Sequence, residues 1–513
     1  MFRRLLSVGG FTLLSRIAGF VQNIVMAAIL GDGPLSDAYF VALRLPNSFR
    51  GIFAEGAFNV AFIPRYAALR TREGDGAATL FADRVFSWQM AAQIALLVAA
   101  LVFMPQIVAV LAPGFAAHPG QIALAIDFSR ITFPYLILTV VAVQLSAMLN
   151  AHEKFAAAAA WSIFLNLAII GTLLLSRWFT NAGYAASWGV LLAGVAQLFF
   201  IVWAASRAHI ALRLAWPRWS AQMKEFLWAL GAATLGSASV QIGLFIDTII
   251  ASFLPAGVLT AINYADRINQ LPLGTIAIAL ATVLLPEMSR RVALGDRAGA
   301  DAAQNNAAAL GLFLTLPFAA AFLAVPQTIM RGLFAHGAFS VAAADVSASA
   351  LAAYGVGLPA FVLVRVVAAT FYARGDTATP VRATVLAVAV NVGMKFLLVW
   401  GFHLGAVGVA LGTTLGSYAN VGVLLFLALR RDLLTVESHF MRALPAIVLA
   451  AGATGGAALA GVWLVETYVH LHRFHNEAAL AAAIFLGGLA YGVVTLLFRR
   501  SLPLGRLSRA RAG

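Results

Sequence analysis

The 513-residue chain has no cysteine, which excludes disulfides, thiolate chemistry and cysteine-based metal sites. Charge is scarce as well. Asp, Glu, Lys and Arg make up 11% of the residues, against about 25% in a soluble domain. Within that small set acids are the rarer sign, with 20 Asp and Glu against 34 Lys and Arg. No Walker loop is present, so ATP is not the direct source of energy. An Asp-rich motif for a metal-bound diphosphate is missing, and no Ser/His/Asp or paired-carboxylate arrangement is suggested. The nine histidines are scattered, except for His470, His472 and His475 in one connection, where a solvated loop is the simpler reading. Neither a cofactor nor a metal is expected, and no enzyme active site is expected.

What is abundant is apolar sequence: 62% of the residues are hydrophobic. Fourteen stretches are long enough to cross a hydrocarbon core of about 30 Å as helices. They are 8–30, 36–63, 85–111, 122–149, 156–176, 184–206, 226–254, 259–286, 303–323, 342–372, 381–400, 405–429, 443–465 and 478–498. The first run follows Arg3 and Arg4, is interrupted by Ser15 and Arg16, and leads straight into the second, unlike a cleavable signal peptide. The expected fold is therefore an all-α polytopic membrane protein.

The formal charge of +14 could suggest nucleic acid, but its distribution says otherwise. Label the segments between spans alternately, starting with the N-terminus inside. The inside segments then hold 24 Lys or Arg and the outside ones only Arg177, Arg331 and Arg473. Cytoplasmic loops are the Lys/Arg-rich ones, so both termini are expected in the cytoplasm. The excess charge reflects topology, and no nucleic-acid partner is implied.

An internal repeat is visible. Residues 23–35 (NIVMAAILGDGPL) and 247–259 (DTIIASFLPAGVL) share Ala, Leu, Gly and Leu at identical spacing. Each block leads through a helix to a Leu-Pro pair, Leu45-Pro46 and Leu271-Pro272. Pro134 precedes Asn166 as Pro359 precedes Asn391, by 32 residues in each case. The period is about 225 residues, or six helices, and an even number keeps both copies in the same orientation. The expected organisation is a six-helix lobe over 1–220, a second over 221–435, and two further helices with a basic tail over 436–513. A cargo site is expected between parallel repeats. Proline kinks at 46, 134, 272 and 359 fit moving parts, and glycines at 51, 56, 405, 408 and 412 allow helices to approach closely.

Seven cations remain inside the spans: Arg16, Arg44, Arg50, Arg130, Arg267, Arg365 and Lys395. Each would cost about 3 kcal/mol or more at the bilayer centre if it faced lipid. Together they imply a water-filled interior of positive potential, suited to an anionic cargo. Asp37 and Arg44 are two turns apart and share a helix face; Arg50 and Glu55 follow beyond Pro46. Glu55 is equally readable as a structural group, a partner for Arg50 or a cap near the inner surface, and as a contributor to cargo binding. Asp127 and Arg130, at i,i+3, are expected to neutralise each other. Asp266 and Arg267 are adjacent and point to different faces. Arg16 and Arg365 have no acidic neighbour within a turn, and a free guanidinium matches phosphate as a bidentate fork. The alternative, that these arginines pair across helices with Asp37, Glu55 or Asp266, stays open. Asp247 and Lys395 are each the only ion in the core of their span. They are expected to form an ion pair near Asn391, with the ammonium standing where a coupling cation would otherwise bind.

Arg16 in SRIAGF, SDAYFVALRLPN and FAEGAFNVAFIP within 36–64, NYADRINQLPLG at 263–274 and FYARGDTATP after the tenth span resemble the MurJ (MviN) family of lipid II flippases. The similarity covers essentially the whole chain. It implies the fold of the multidrug and oligosaccharidyl-lipid exporter superfamily, with two six-helix lobes around a cationic cavity. The two extra helices would form a groove for the undecaprenyl tail. The implied cargo is undecaprenyl-diphosphate-linked disaccharide-pentapeptide, moved from the cytoplasmic to the periplasmic leaflet of the bacterial inner membrane. Implied partners are that lipid, membrane lipids and, as candidates, cell-wall synthesis proteins. Essential cavity charges of the family correspond to Arg16, Asp37, Arg50 and Arg267. The charge pattern itself, apart from the resemblance, suggests that Arg44 and Arg365 add to the field. The sequence departs from the family at Gln22, Asn23, Gly51 and Gln270, where charges are usual. Two alternatives within the superfamily are an exporter of another polyprenyl-linked saccharide and a multidrug exporter. The second would want an acidic or aromatic pocket, whereas the intramembrane balance here is positive. A polyprenyl-phosphate transferase would need a surface carboxylate cluster, which is not found.

Overall fold

The computed structural model describes residues 2–51, 57–216, 218–469 and 474–499, without the side chains of 2–9, 12, 235–240 and 278. Glu55, His470, His472 and the basic tail beyond 499 lie outside the described residues. The described residues form α-helices joined by turns, extended connections and single π- or 3-10 turns, with no strand among them. Packing divides the chain into two compact units, 1–257 with 337–339, and 258–336 with 340–513. The division falls one helix later than the repeat-based boundary at 220/221.

The first unit contains α1 (Phe2–Leu30), α2 (Pro34–Phe49), α3 (Ala57–Glu73), α4 (Asp75–Val102), α5 (Met104–Leu111), α6 (Pro119–Thr132), α7 (Tyr135–Ala151), α8 (Phe155–Ala160), α9 (Ile163–Leu174), α10 (Ala182–Ser206) and α11 (Ala221–Ser252). Its main core is aromatic. Phe58, Phe62 and Tyr66 recur every fourth residue on α3, so their rings stack in sequence along one face. Phe81 of α4 and Phe226 of α11 close against them. The extended connection 207–220 is pinned lengthwise to α4. Backbone N–H groups of Arg213 and Ala215 donate to Asp83 Oδ1 (2.8 Å) and Ser87 Oγ (2.9 Å), acceptors one turn apart.

The second unit contains α12 (Val258–Pro272), α13 (Ile278–Ala293), α14 (Arg297–Ala324), α15 (Pro326–Phe334), α16 (Val341–Tyr372), α17 (Ala378–Phe396), α18 (Gly405–Arg430), α19 (Ser438–Tyr468) and α20 (His475–Leu497). Here small residues decide the packing. A Cβ at Gly461 of α19 would lie 2.8 Å from the Ala482 carbonyl of α20. Tyr491 of α20 donates its hydroxyl to the Phe313 carbonyl of α14 (2.9 Å).

Twelve helical stretches are long and apolar enough to cross a membrane. They match all the expected spans except 36–63 and 226–254, so fourteen is not confirmed. The first contains residues outside the description, and the second lacks the side chains of 235–240. The first is split between α2 and α3; the second lies in α11, whose apolar described part is Gln241–Ser252. Proline interrupts the helix at three of the four expected positions, while Pro359 lies within the unbroken α16. Pro46 is followed by a π-turn at 50–51 and Pro272 by one over Leu273–Ala277. Pro134 separates α6 from α7. A missing N–H and a displaced carbonyl shift the hydrogen-bond register at such points.

The 430–438 connection of the second unit is stapled by charge. Arg297 binds Asp432 through two nitrogens at 2.7 and 2.5 Å. Asn305 donates to the Thr435 carbonyl (2.8 Å) and accepts from the Glu437 N–H (3.1 Å). The Arg297 hydrogen bond holds the Asp432 carboxyl below the usual carboxylate range. Thr379, through hydroxyl and amide, does the same to Asp376, which also meets Arg431 at 3.2 Å. Groups with depressed folded values contribute stability above the unfolded carboxylate value of about 4, and lose it as pH falls through the folded value. Amides of 433–437 are therefore expected to exchange faster with deuterium at pH 3 than at pH 7 after correction for intrinsic rates. Asp432→Asn should reproduce part of that loosening at pH 7.

Candidate cargo-binding charges

Asp37 and Arg44 do share a face, and it is the face of α2 that meets α11 and the turn after it. Asp37 is 2% exposed, and its Oδ2 accepts the backbone N–H of Gly257 at 2.6 Å. Arg44 is half-buried and donates from Nε to Thr248 Oγ1 at 2.8 Å. Gly257 has φ +91°, and a Cβ there would sit 2.0 Å from the Asp32 carbonyl oxygen. Only glycine suits both the dihedral and the space. Arg50 follows α2, half-buried, at the π-turn after Pro46. Asp247 is half-buried on α11, one residue before Thr248.

Arg16 is positioned by its neighbours. Ser15 Oγ lies 3.0 Å from Ser162 Oγ, and Asn166 of α9 donates to the Ser15 carbonyl at 3.0 Å. Gly19, one turn on, packs against the Asn166 side chain. This pins the Ser15–Gly19 face of α1 to α9 and leaves Arg16, about 100° round the helix, exposed.

Asp127 and Arg130 do not neutralise each other. The Asp127 carboxylate accepts the Tyr184 hydroxyl at 2.9 Å, and among the described residues no ion pair joins it to Arg130, which is exposed. A tyrosine from α10 supplies the partner, which no spacing within α6 could reveal.

In the second unit, α12 buries Tyr264, Ala265, Ile268 and Asn269 and turns Arg267 outward. Asp266 diverges from it, accepting a hydrogen bond from Gln270 Nε2 one turn later. An ionised acid at 270 could not donate that bond, so the departure from the family pattern gives Asp266 a donor in place of a like charge. Arg365 is exposed on α16. Lys395 is fully buried at the end of α17, and Asn391 is half-buried one turn earlier. Both are accommodated by glycines of α18. A Cβ at Gly412 would lie 2.3 Å from Lys395 Cγ, and one at Gly416 2.6 Å from Asn391 Cβ. The close approach expected at Gly408 and Gly412 is present and extends along the same ridge to Gly416, whereas a Cβ at Gly405 would meet nothing within 4 Å.

The described residues thus present two sets of cations: Arg16, Arg44 and Arg50 on the first unit, Arg267 and Arg365 on the second, with Arg16, Arg267 and Arg365 on helices long and apolar enough to span a membrane. The family model described as "Lipid II flippase MurJ" matches residues 26–472. The chain belongs to the MurJ family. A "Probable lipid II flippase MurJ" from Rhizobium meliloti (strain 1021) is 40% identical, covering 100% of this chain and 99% of the relative. Among solved structures, a lipid II flippase MurJ in an inward closed conformation has a TM-score of 0.77 at 24% identity, over 96% of this chain and 99% of its own. An inward-facing multidrug-resistance MATE transporter of the MOP superfamily has a TM-score of 0.69 at 18% identity, over 83% of this chain and 98% of its own. These likenesses place the MurJ fold seen here within that wider architecture.

Proposed function

We propose that this chain is a flippase for lipid II, moving undecaprenyl-diphosphate-linked disaccharide-pentapeptide from the cytoplasmic to the periplasmic leaflet of the bacterial inner membrane. The single observation that carries this is family membership over nearly the full length, with 40% identity to a curated relative of that name. Cations at membrane depth suit the diphosphate, as guanidinium groups bind phosphate oxygens bidentately.

Arg16, Arg50 and Arg267 grip the diphosphate while the site opens to the cytoplasm, and Arg44 and Arg365 strengthen the field. Asp37 competes for those arginines and helps release the cargo to the other side. Access alternates between leaflets through movement of two parallel six-helix repeats. The paired Leu-Pro motifs, each followed by a π-turn, support that repeat. Both termini lie in the cytoplasm, as the Lys/Arg bias indicates. Fixed charge moving through the membrane potential is worth about 2.3 kcal/mol per charge per 100 mV, so the potential is the proposed drive.

Asp247, Asn391 and Lys395 form the coupling element, with the Lys395 ammonium replacing a free cation. Complete burial of Lys395 supports this, since a buried ammonium requires compensation. Lys395→Ala is expected either to make transport depend on added monovalent cation or to cripple it. Unchanged transport with no cation dependence would remove Lys395 from coupling.

The test of function is depletion. Loss of this protein should cause lysis, relieved by a known lipid II flippase. A strain that only gains drug sensitivity would point to the multidrug exporters of the superfamily instead.

A further inference from the structure

Between α3 and α11 an open cavity of about 440 Å³ is lined by Arg65, Lys224, Glu225, Trp228, Ala229 and Ala232. It lies apart from the charges assigned to cargo. Glu225, Trp228, Ala229 and Ala232 recur at three- and four-residue spacing and form one face of α11. Arg65 reaches the cavity from α3. One of its nitrogens donates to the Ala61 carbonyl (3.1 Å), while its Nε is buried without a hydrogen-bond partner. Among the described residues, neither Lys224 nor Glu225 has an ion pair. Trp228 is 74% exposed, and Trp219 and Trp216, on the connection pinned to α4, are 66% and 81% exposed. Exposed tryptophans beside Lys and Arg mark a membrane–water interface, and the charge bias puts this end of α11 in the inner leaflet.

We propose that this cavity holds the headgroup of an inner-leaflet phospholipid bearing a primary amine. Its phosphate sits between Arg65 and Lys224, and its ammonium meets the Glu225 carboxylate and the Trp228 ring. Arg65 lines the cavity, and a guanidinium is suited to donate to phosphate oxygens. The charge set decides the headgroup. Phosphatidylglycerol carries the same phosphodiester but offers Glu225 only neutral hydroxyls, leaving that carboxylate without a counter-charge. A choline lipid brings no N–H donor to that carboxylate. A phosphoethanolamine group satisfies all three charges, and its cation also suits the indole face. Lys224 and Ala232 are about 12 Å apart along the helix, so the small Ala229 and Ala232 side chains leave a channel for the start of an acyl chain.

The test is native mass spectrometry of the full-length protein in detergent. It would be titrated in parallel with phosphatidylethanolamine, phosphatidylglycerol and phosphatidylcholine of identical acyl chains. The wild type should bind the ethanolamine lipid most tightly. Arg65→Ala and Lys224→Ala should each weaken that binding roughly fivefold, the value of about one surface cation near phosphate. Glu225→Gln, nearly isosteric and on an exposed residue, should bring the glycerol lipid level with the ethanolamine lipid. Equal binding of all three lipids by the wild type would overturn the assignment. So would the same selectivity in Lys224→Ala and Glu225→Gln. Neither outcome bears on lipid II transport, which is read by complementation.

Discussion

Cells that rely on this protein as their only flippase are expected to stop growing and lyse when Arg16 is replaced by alanine. Arg267→Ala should have the same effect from the other unit. Both side chains are exposed and lie on membrane-spanning helices, so truncation opens no cavity in either unit. The defect should therefore come without loss of protein from the membrane, as an immunoblot would show. A hydrogen bond to a charged group is worth about 1.5–3 kcal/mol, which is roughly 10- to 150-fold in affinity for the diphosphate. Lysine at either position keeps the charge but loses the fork, so Arg16→Lys and Arg267→Lys should fall between wild type and alanine. Normal growth of either alanine variant would take that arginine out of the mechanism.

Gly257→Val is expected to deplete folded protein rather than impair transport alone. The backbone there sits at φ +91°, and the added Cβ would meet the Asp32 carbonyl oxygen at 2.0 Å. A left-handed conformation costs an L-residue about 1–2 kcal/mol, and a β-branched side chain in that space adds a clash that only backbone movement relieves. Movement would also break the 2.6 Å bond from the Gly257 N–H to Asp37 and leave a buried carboxylate short of a donor. Gly74 separates the two effects. It has φ +87° but nothing within 4 Å of its would-be Cβ. Gly74→Ala should therefore lower the melting temperature in detergent through backbone strain alone, and Gly257→Ala by more, since it adds the clash. Asp37→Asn keeps an acceptor oxygen for Gly257 and removes the charge. It should fold nearly as well as wild type while losing flippase activity, which distinguishes the structural use of Asp37 from its proposed part in cargo release. Equal thermal stability of Gly257→Ala and Gly74→Ala would refute the packing argument.

Spacing along a single helix proved a good guide to faces. Asp37 and Arg44 point the same way, Asp266 and Arg267 diverge, and the membrane-crossing helices follow the apolar runs. What spacing cannot supply is the identity of the helix opposite. Spacing within α6 pairs Asp127 with Arg130, whereas its partner is Tyr184, 57 residues on. The Gly257 amide that holds Asp37 is 220 residues away. Thr248 and Gly416 carry no charge or motif and are visible only once α11 lies against α2 and α18 against α17. The connection 207–220 reads as a plain basic loop, because its anchors on Asp83 and Ser87 bind its backbone, not its side chains. Non-local contacts between apolar helices leave little trace in order or composition, since many small-residue faces would fit.

The most direct measurement is the distribution of lipid II between leaflets in cells that depend on this protein alone, read with a periplasmic enzyme that cleaves only outward-facing lipid II. With the wild-type chain, a substantial fraction should be cleaved; with Arg16→Ala at equal abundance, lipid II should build up uncleaved in the inner leaflet. Equal cleavage in both strains would contradict the claim that these guanidinium groups carry the diphosphate across.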